Sequence, residues 1–462
     1  MILKDPTLVE RIRDLIRKEN FNAASAVKIA IEESAKMIEG LESPYMSQRA
    51  IDVRDVGEMI IRNITGKQGF SLSSLPYPAI VVAENLTPSD TASLDRKNTL
   101  GFVTHGGNKT SHTAILAASL GIPAAAGLKN LNLRLKNEEI AILDGENGVF
   151  IVDPDEETVQ WFYKEKERRR IEEEELQRVK PLPAITRSGK MIEMSANIGN
   201  VEDCEAALKS GAEGVGLFRT EFLFLGRSSP PGEEEQLTAY RQVAEKFEGR
   251  PVIVRTLDVG GDKEISYLHL EREQNPFLGV RGIRLCLQRR DLFKTQLRAI
   301  LRASAHGNIK IMYPMVTIRE EIAQANGVLK EAMEELKKEN IPFDENIKVG
   351  IMVEVPSTAL TAEMVVDYVD FFSIGTNDLS QYTFAADRTN ENLSHLCQPL
   401  VILRLIKMVV DAAHKKGKWV GICGEMAGDT EIIPELLRIG IDELSMNPVK
   451  IPKAKKVVIE SE

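Results

Sequence analysis

The chain is poor in cysteine, in aromatic residues and in long apolar runs, and each shortage speaks against a class of protein. Its four cysteines, Cys204, Cys286, Cys397 and Cys423, lie far apart among 462 residues and form no Cys-x-x-Cys pair. That spacing argues against a disulfide framework or structural zinc, and makes a reducing cytoplasm the expected compartment. No apolar run approaches the roughly 20 residues that a bilayer-spanning helix needs. The opening MILKDPTLVERIRDLIRKEN is charged throughout, unlike a signal peptide. Positive charge is in deficit as well: 59 basic against 69 acidic residues give a formal charge of −10. This argues against general nucleic-acid binding but allows a local arginine cluster around an anion. The expectation is a soluble α/β chain, long enough for two or three domains with large cores.

Asp5-Pro6 reads as a helix start, and Leu8, Ile12, Leu15 and Ile16 make one apolar stripe. Amphipathic segments over 23–41 and 46–64 follow, so residues 1–66 form a small helical subdomain. Short strands are then expected over 77–83, 99–104, 140–143 and 148–152, with one short helix over 113–120. Together they make a compact β-rich domain, residues 67–160. The charge run WFYKEKERRRIEEEELQRVK reads as a solvated helix with i,i+4 pairs, a linker over 161–183 that ends at Pro181 and Pro183. From 184 to 462 strand and helix alternate. Strands over 191–196, 215–218, 252–255, 309–313, 348–353, 371–374, 419–423 and 443–446 give the βα repeat of a TIM (β/α)8 barrel. Helical spacing is expected over 322–339, 357–369 and 400–415. The tail KIPKAKKVVIESE is short and proline-interrupted, so no closing helix is expected after the last strand.

The chemistry-bearing residues fall at the carboxyl ends of those strands, the face on which such barrels build their sites. Glu354 follows the fifth strand and Asp378 the sixth. Two carboxylates at one sheet edge, with no Cys or His ligand spacing nearby, suit a hard divalent cation such as Mg2+. Arg219 follows the second strand in GLFRTEF, and Arg255 ends the third in VIVRTLDVGGDK. Guanidinium groups beside a metal site call for a small, strongly anionic ligand carrying phosphate and carboxylate. Arg281 in NPFLGVRGIR and Arg388 in AADR could join the same pocket. Cys423 ends the seventh strand, where a thiol is either a small buried apolar group or a participant.

A second constellation is GFVTHGGNKTSHTAILAASLGIPAAAG, residues 101–127. A strand runs into a Gly-Gly turn, and Lys109, Thr110, Ser111 and His112 open a helix. Free N–H groups and the helix dipole there favour an anion and disfavour imidazolium, so His112 would stay neutral and nucleophilic. The pattern points to a phosphorylated histidine; His105, in the turn itself, is a weaker candidate.

These motifs, with GIMVEVPS, FFSIGTNDLSQYTFAADR, GICGEMAGD and the N-terminal AIDVRDVGEMIIRNITG, resemble in order and spacing the phosphoenolpyruvate-utilising enzymes. The strongest resemblance is to enzyme I of the bacterial sugar phosphotransferase system. It implies a swivelling phosphohistidine domain and an incomplete helical subdomain of the kind that binds the carrier protein HPr. It implies that His112 accepts the phosphoryl group at Nε2 and that Arg219, Arg255, Arg388 and Asn377 bind phosphoenolpyruvate. Glu354 and Asp378 would hold Mg2+, Cys423 would protonate the enolate, and the barrel would form a homodimer. Relative to the family, segments are missing at both ends, and His105, Asn108 and Lys109 depart from the usual loop, so slower transfer is expected. Two other readings remain: a pyruvate–phosphate dikinase or phosphoenolpyruvate synthase relative without its nucleotide domain, and a phosphoenolpyruvate sensor without turnover.

Overall fold

A computed structural model of the chain describes residues 6–39, 44–66, 75–84, 86, 95, 97–106, 114, 117, 121–128, 135–261, 265–268, 270–271, 273–387, 390 and 392–462. The chain divides into two compact units, Met1–Arg169 and Arg170–Glu462.

In the first unit three helices, Pro6–Arg17, Ala23–Glu39 and Pro44–Thr65, pack through Leu8, Leu15, Val27, Ala30, Ile31 and Val53. Helices two and three approach closely at Gly57, where a Cβ would lie 2.6 Å from the Ile31 side chain. Charge pairs fasten the outside: Arg11 binds Glu33 and Glu19, and Arg54 binds Glu32. Strands β1 (Ala79–Ala83), β2 (Thr99–Thr104) and β3 (Ala124–Ala125) form a parallel sheet in that order. Strands β4 (Ala141–Asp144) and β5 (Val149–Val152) form an antiparallel hairpin. Its turn is set by Asp144, which accepts hydrogen bonds from the Glu146 and Asn147 amides, and by Gly148 at φ +65°. The helix expected over 113–120 falls almost wholly outside the described residues. The charged helix is longer than its charge run, Glu156–Val179, because Asp155 caps it through the Thr158 amide at 2.7 Å. It buries no residue.

The second unit is a closed barrel of eight parallel strands. In order they are β6 (Glu193–Ile198), β7 (Gly214–Arg219), β8 (Val252–Arg255), β9 (Ile309–Tyr313), β10 (Lys348–Val353), β11 (Phe371–Ile374), β12 (Trp419–Ile422) and β13 (Glu443–Met446). These strands are mostly apolar because one face meets the barrel interior and the other the surrounding helices, with charged residues such as Glu193, Lys310 and Glu443 near their starts. Leu217, Ile253, Met312, Met352, Phe371 and Cys423 pack together as a small cluster apart from the main core. The first barrel strand starts two residues later than its composition suggests. Met191 is instead bridged back to Ile185 before the barrel begins.

Two expectations fail. Residues 357–369 are not one helix but Pro356–Leu360 and Ala362–Val365, broken at Thr361, followed by a 3-10 turn over Val366–Tyr368. A closing helix does follow the last strand, Ile451–Glu460. Pro452 sits in its first turn, where the missing N–H has no intrahelical partner to lose. Lys455, which breaks the apolar pattern of that tail, is buried, with its ammonium on Lys180 O, Gly211 O and Glu213.

Candidate functional site

Closing the barrel brings the ends of β7, β8, β10, β11 and β12 to one mouth. Arg219 and Arg255 are register partners at the ends of β7 and β8. Arg255 is buried and donates to Glu221 at 2.7 Å, while its other terminal nitrogen lies 3.1 Å from Asp258. Its Nε is buried without a hydrogen-bond partner among the described residues. Thr220 donates to the Arg255 carbonyl at 2.8 Å, and Gln296 holds both Thr220 and the Leu257 amide. The third strand's loop is therefore fixed from below by uncharged groups.

Arg281 is buried between two aspartates. Its Nε and one terminal nitrogen donate to Asp258, each at 3.1 Å. Its two terminal nitrogens also donate to the two Asp378 oxygens, at 3.1 and 3.2 Å. A further N–H reaches the Tyr382 hydroxyl at 3.2 Å, and that hydroxyl donates to Phe277 O. All five guanidinium N–H groups are thus engaged. Asp378 itself lies in the first turn of the helix Thr376–Phe384.

Glu354, one residue past β10, is buried and accepts the Met315 amide at 2.6 Å. Met315 takes φ +57°, an uncommon conformation for a residue with a side chain, and Gly282 leaves the room it needs. Burial, then the charges of Asp378 and Asp258, push the Glu354 carboxyl up to about 8. Four buried carboxyls, Glu221, Asp258, Glu354 and Asp378, face two buried guanidiniums, Arg255 and Arg281. An all-oxygen donor set with surplus negative charge fits a hard divalent cation better than a soft one. Among the described residues no group of three or more His, Cys, Asp or Glu side chains is arranged to hold a metal ion.

Cys423 is 3% exposed, and its carbonyl accepts Asn197 Nδ2 at 2.9 Å. Asn197 Oδ1 in turn accepts the Ser445 hydroxyl at 2.6 Å. Burial pushes the Cys423 thiol up to about 12, so it stays protonated at neutral pH. The loop after Cys423 is tied to the sixth strand's end: Asn377 Oδ1 accepts the Glu425 amide at 2.9 Å. Gly424 permits this approach, since any Cβ there would overlap Thr376.

Glu354, Asp378, Asn377, Arg219, Arg255 and Cys423 therefore all stand at or just past strand ends on one face, and Arg281, late in the loop after β8, joins them through Asp258 and Asp378. His112, Asn108, Lys109 and Arg388 lie outside the described residues. His105 donates Nδ1–H to Leu128 O at 3.0 Å. The sequence reading missed Asp258, Glu221 and the Met315 amide. Asp258 carried a readable signal, an acid three residues after a strand-end arginine in RTLDVGG; Met315 carried none.

Residues 173–462 match the family described as PEP-utilising enzyme, PEP-binding domain. Residues 75–148 match the mobile domain of PEP-utilising enzymes, and residues 1–49 their N-terminal family. The chain is 48% identical over 460 residues to the phosphoenolpyruvate-protein phosphotransferase of Priestia megaterium, covering 99% of this chain and 80% of that protein. It is 46% identical over 460 residues to the protein of the same name from Staphylococcus aureus strain MRSA252, with the same coverage of 99% and 80%. The Geobacillus stearothermophilus protein of that name is 46% identical over 461 residues, covering 98% and 79%.

Proposed function

This chain belongs to the phosphoenolpyruvate-protein phosphotransferase family, and we propose that it transfers the phosphoryl group of phosphoenolpyruvate to its own His112, releases pyruvate, and passes the group to the phosphocarrier protein HPr. The observation that supports this most is the charge arrangement at the barrel mouth. Arg255 and Arg281 are held by Asp258 beside Glu354 and Asp378. A small phosphate ester bound with its divalent counter-ion suits it, the cation meeting the carboxylates and the guanidiniums the phosphate.

Arg219, Arg255 and Arg388, with Asn377, bind and orient the substrate in this reading, and Glu354 and Asp378 hold Mg2+. Bound Mg2+ neutralises charge on the phosphoryl oxygens and on the departing enolate. His112 Nε2 attacks phosphorus, the P–N bond forms, and the P–O bond to the enolate carbon skeleton breaks. The enolate then takes a proton at carbon from the Cys423 thiol, giving pyruvate, and solvent returns a proton to sulfur. A thiol pushed up to about 12 is suited to that task, because it is fully protonated when the enolate appears. The carrier step asks His112 to meet two partners in turn, and the helical linker over 161–183 is its hinge. The barrel domain dimerises and the protein works in the cytoplasm.

The test is incubation with 32P-labelled phosphoenolpyruvate and Mg2+. Acid-labile, base-stable label should appear on the wild-type chain and vanish in His112→Ala, which still binds phosphoenolpyruvate. Binding without label in the wild type would mean a sensor, and loss of binding in His112→Ala would mean the substrate pocket is misassigned.

A further inference from the structure

Asp378 is offered as a cation ligand, yet both its oxygens are occupied by a guanidinium. Arg281 reaches it at 3.1 and 3.2 Å and holds Asp258 with its other edge at 3.1 Å. The two partners are not equivalent. Asp258 is 1% exposed and is also bound to Arg255 at 3.1 Å, so it is anchored by two cations on the rim of one loop. Asp378 is the more accessible and belongs to a different strand's loop, 97 residues away.

We propose that Arg281 is an exchangeable counter-ion, standing on Asp378 until a divalent cation takes that carboxylate and then turning its freed N–H groups to the substrate phosphate. This rests on the reading of Glu354 and Asp378 as cation ligands. The logic is charge balance: with Arg281 on Asp378 the site stays neutralised enough to remain buried while empty. A dication supplies two charges where the guanidinium supplied one, so it can displace that edge of Arg281 without leaving Asp378 bare. Arg281 does not drift away, because Asp258 keeps its Nε edge. The released edge carries the planar donor pair that fits a phosphate. Cation binding thereby creates an anion receptor, and the two ligands bind with positive coupling. Lysine could not do both, having a single point charge.

The experiment titrates Mn2+ alone into the full chain, following free Mn2+ by its paramagnetic resonance signal, and then titrates phosphoenolpyruvate at saturating Mn2+ by calorimetry. With Arg281→Met the competitor is gone, so Mn2+ should bind about tenfold tighter and phosphoenolpyruvate about tenfold weaker than in wild type. Arg281→Lys keeps the charge and loses the fork, and should shift both affinities in the same directions by less. It also serves if Arg281→Met does not fold. Arg284→Met is the control for net charge: Arg284 binds Leu278 O, Gly279 O and Thr317, not Asp378, and its loss should leave Mn2+ affinity within about twofold. Equal tightening by Arg284→Met would reduce the effect to bulk charge and overturn the exchange. So would Mn2+ affinity that is unchanged or weaker in both Arg281 variants while Asp378→Asn abolishes binding. If Asp378→Asn leaves Mn2+ binding untouched, the assignment of the ligand itself falls, and the exchange with it.

Discussion

Replacing Glu443 with glutamine should stabilise the barrel at alkaline pH and flatten its pH dependence. Glu443 opens β13 at the end of the barrel opposite the substrate mouth and is 1% exposed. Neither of its oxygens has a hydrogen-bond partner among the described residues. Gly216 and Gly421 face it, and a Cβ on either would overlap the carboxyl oxygens. Its register partner on β6 is another acid, Glu193, with Glu213 near that one. The facing cation is Lys310 on β9, whose ammonium lies 4.6 Å from the Trp419 ring. Burial, then the Glu193 charge, push Glu443 up to about 8 against an ordinary 4.5. The folded state therefore binds more protons than the unfolded state between those values. Stability is fully present below the ordinary carboxylate range and is lost as pH rises towards 8. A tenfold change in proton affinity is worth about 1.4 kcal/mol, so the barrel loses a few kcal/mol across that window. Glu443→Gln keeps the shape and removes the proton. The assay is urea unfolding from pH 5 to 9 in a Trp161→Phe background, where Trp419, stacked on Phe371 at 4.6 Å, reports on this end of the barrel. Wild-type stability should fall with pH, and the variant should be flatter and more stable at pH 9. Parallel curves would refute the reasoning, because they would mean that Glu443 is charged or solvated throughout.

Two further outcomes follow from burial. At pH 8 the native chain should take up one equivalent of iodoacetamide, at the half-exposed Cys397, and four after denaturation, by intact mass. Cys204, Cys286 and Cys423 are buried, and burial pushes Cys204 up to about 11 and Cys423 up to about 12. Labelling of Cys423 on the native timescale would break the case for a protected thiol. Lys455→Met should lower barrel stability by about 3 kcal/mol in chemical denaturation, since it strands Lys180 O and Gly211 O and leaves Glu213 without its ammonium. A change under about 0.5 kcal/mol would mean water replaces the ammonium at no cost.

How much of this could be read from the sequence depends on the range of the interaction concerned. The barrel strands were legible because they are buried on both faces and so are written mostly in apolar residues, as in VIVR and FFSI. Strand-end chemistry was legible for the same reason: Arg255, Glu354 and Asp378 interrupt or follow such runs. The closing helix was misread because its polar residue Lys455 turns inward and its proline sits where proline is harmless. The break at Thr361, where the backbone leaves the helical region at φ −111° and ψ 22°, had no signal in the apolar spacing. Glu443 looked like an ordinary polar strand start, and only barrel closure sets it over Gly216 and Gly421. Arg281 was expected at the pocket, but its two aspartate partners lie 23 and 97 residues away, and pairing at that distance has no local signature.

Both ends of this barrel bury more carboxylate than fixed cation, and they resolve the surplus differently. At the far end Glu443 and Glu193 face Lys310, and burial pushes both carboxyls up, so that the remaining charge is removed by a proton, the smallest neutraliser. At the mouth, neutralisation falls to guanidiniums, whose geometry Asp258 fixes, with Glu354 carrying a raised carboxyl beside them. A proton can only come and go with pH, whereas a guanidinium held by one edge can give up its other edge to a competing cation. Burial raises Glu354 at the mouth as it raises Glu443 at the far end, so what distinguishes the mouth is Arg281 on Asp378, a counter-charge whose fork a competing cation can displace.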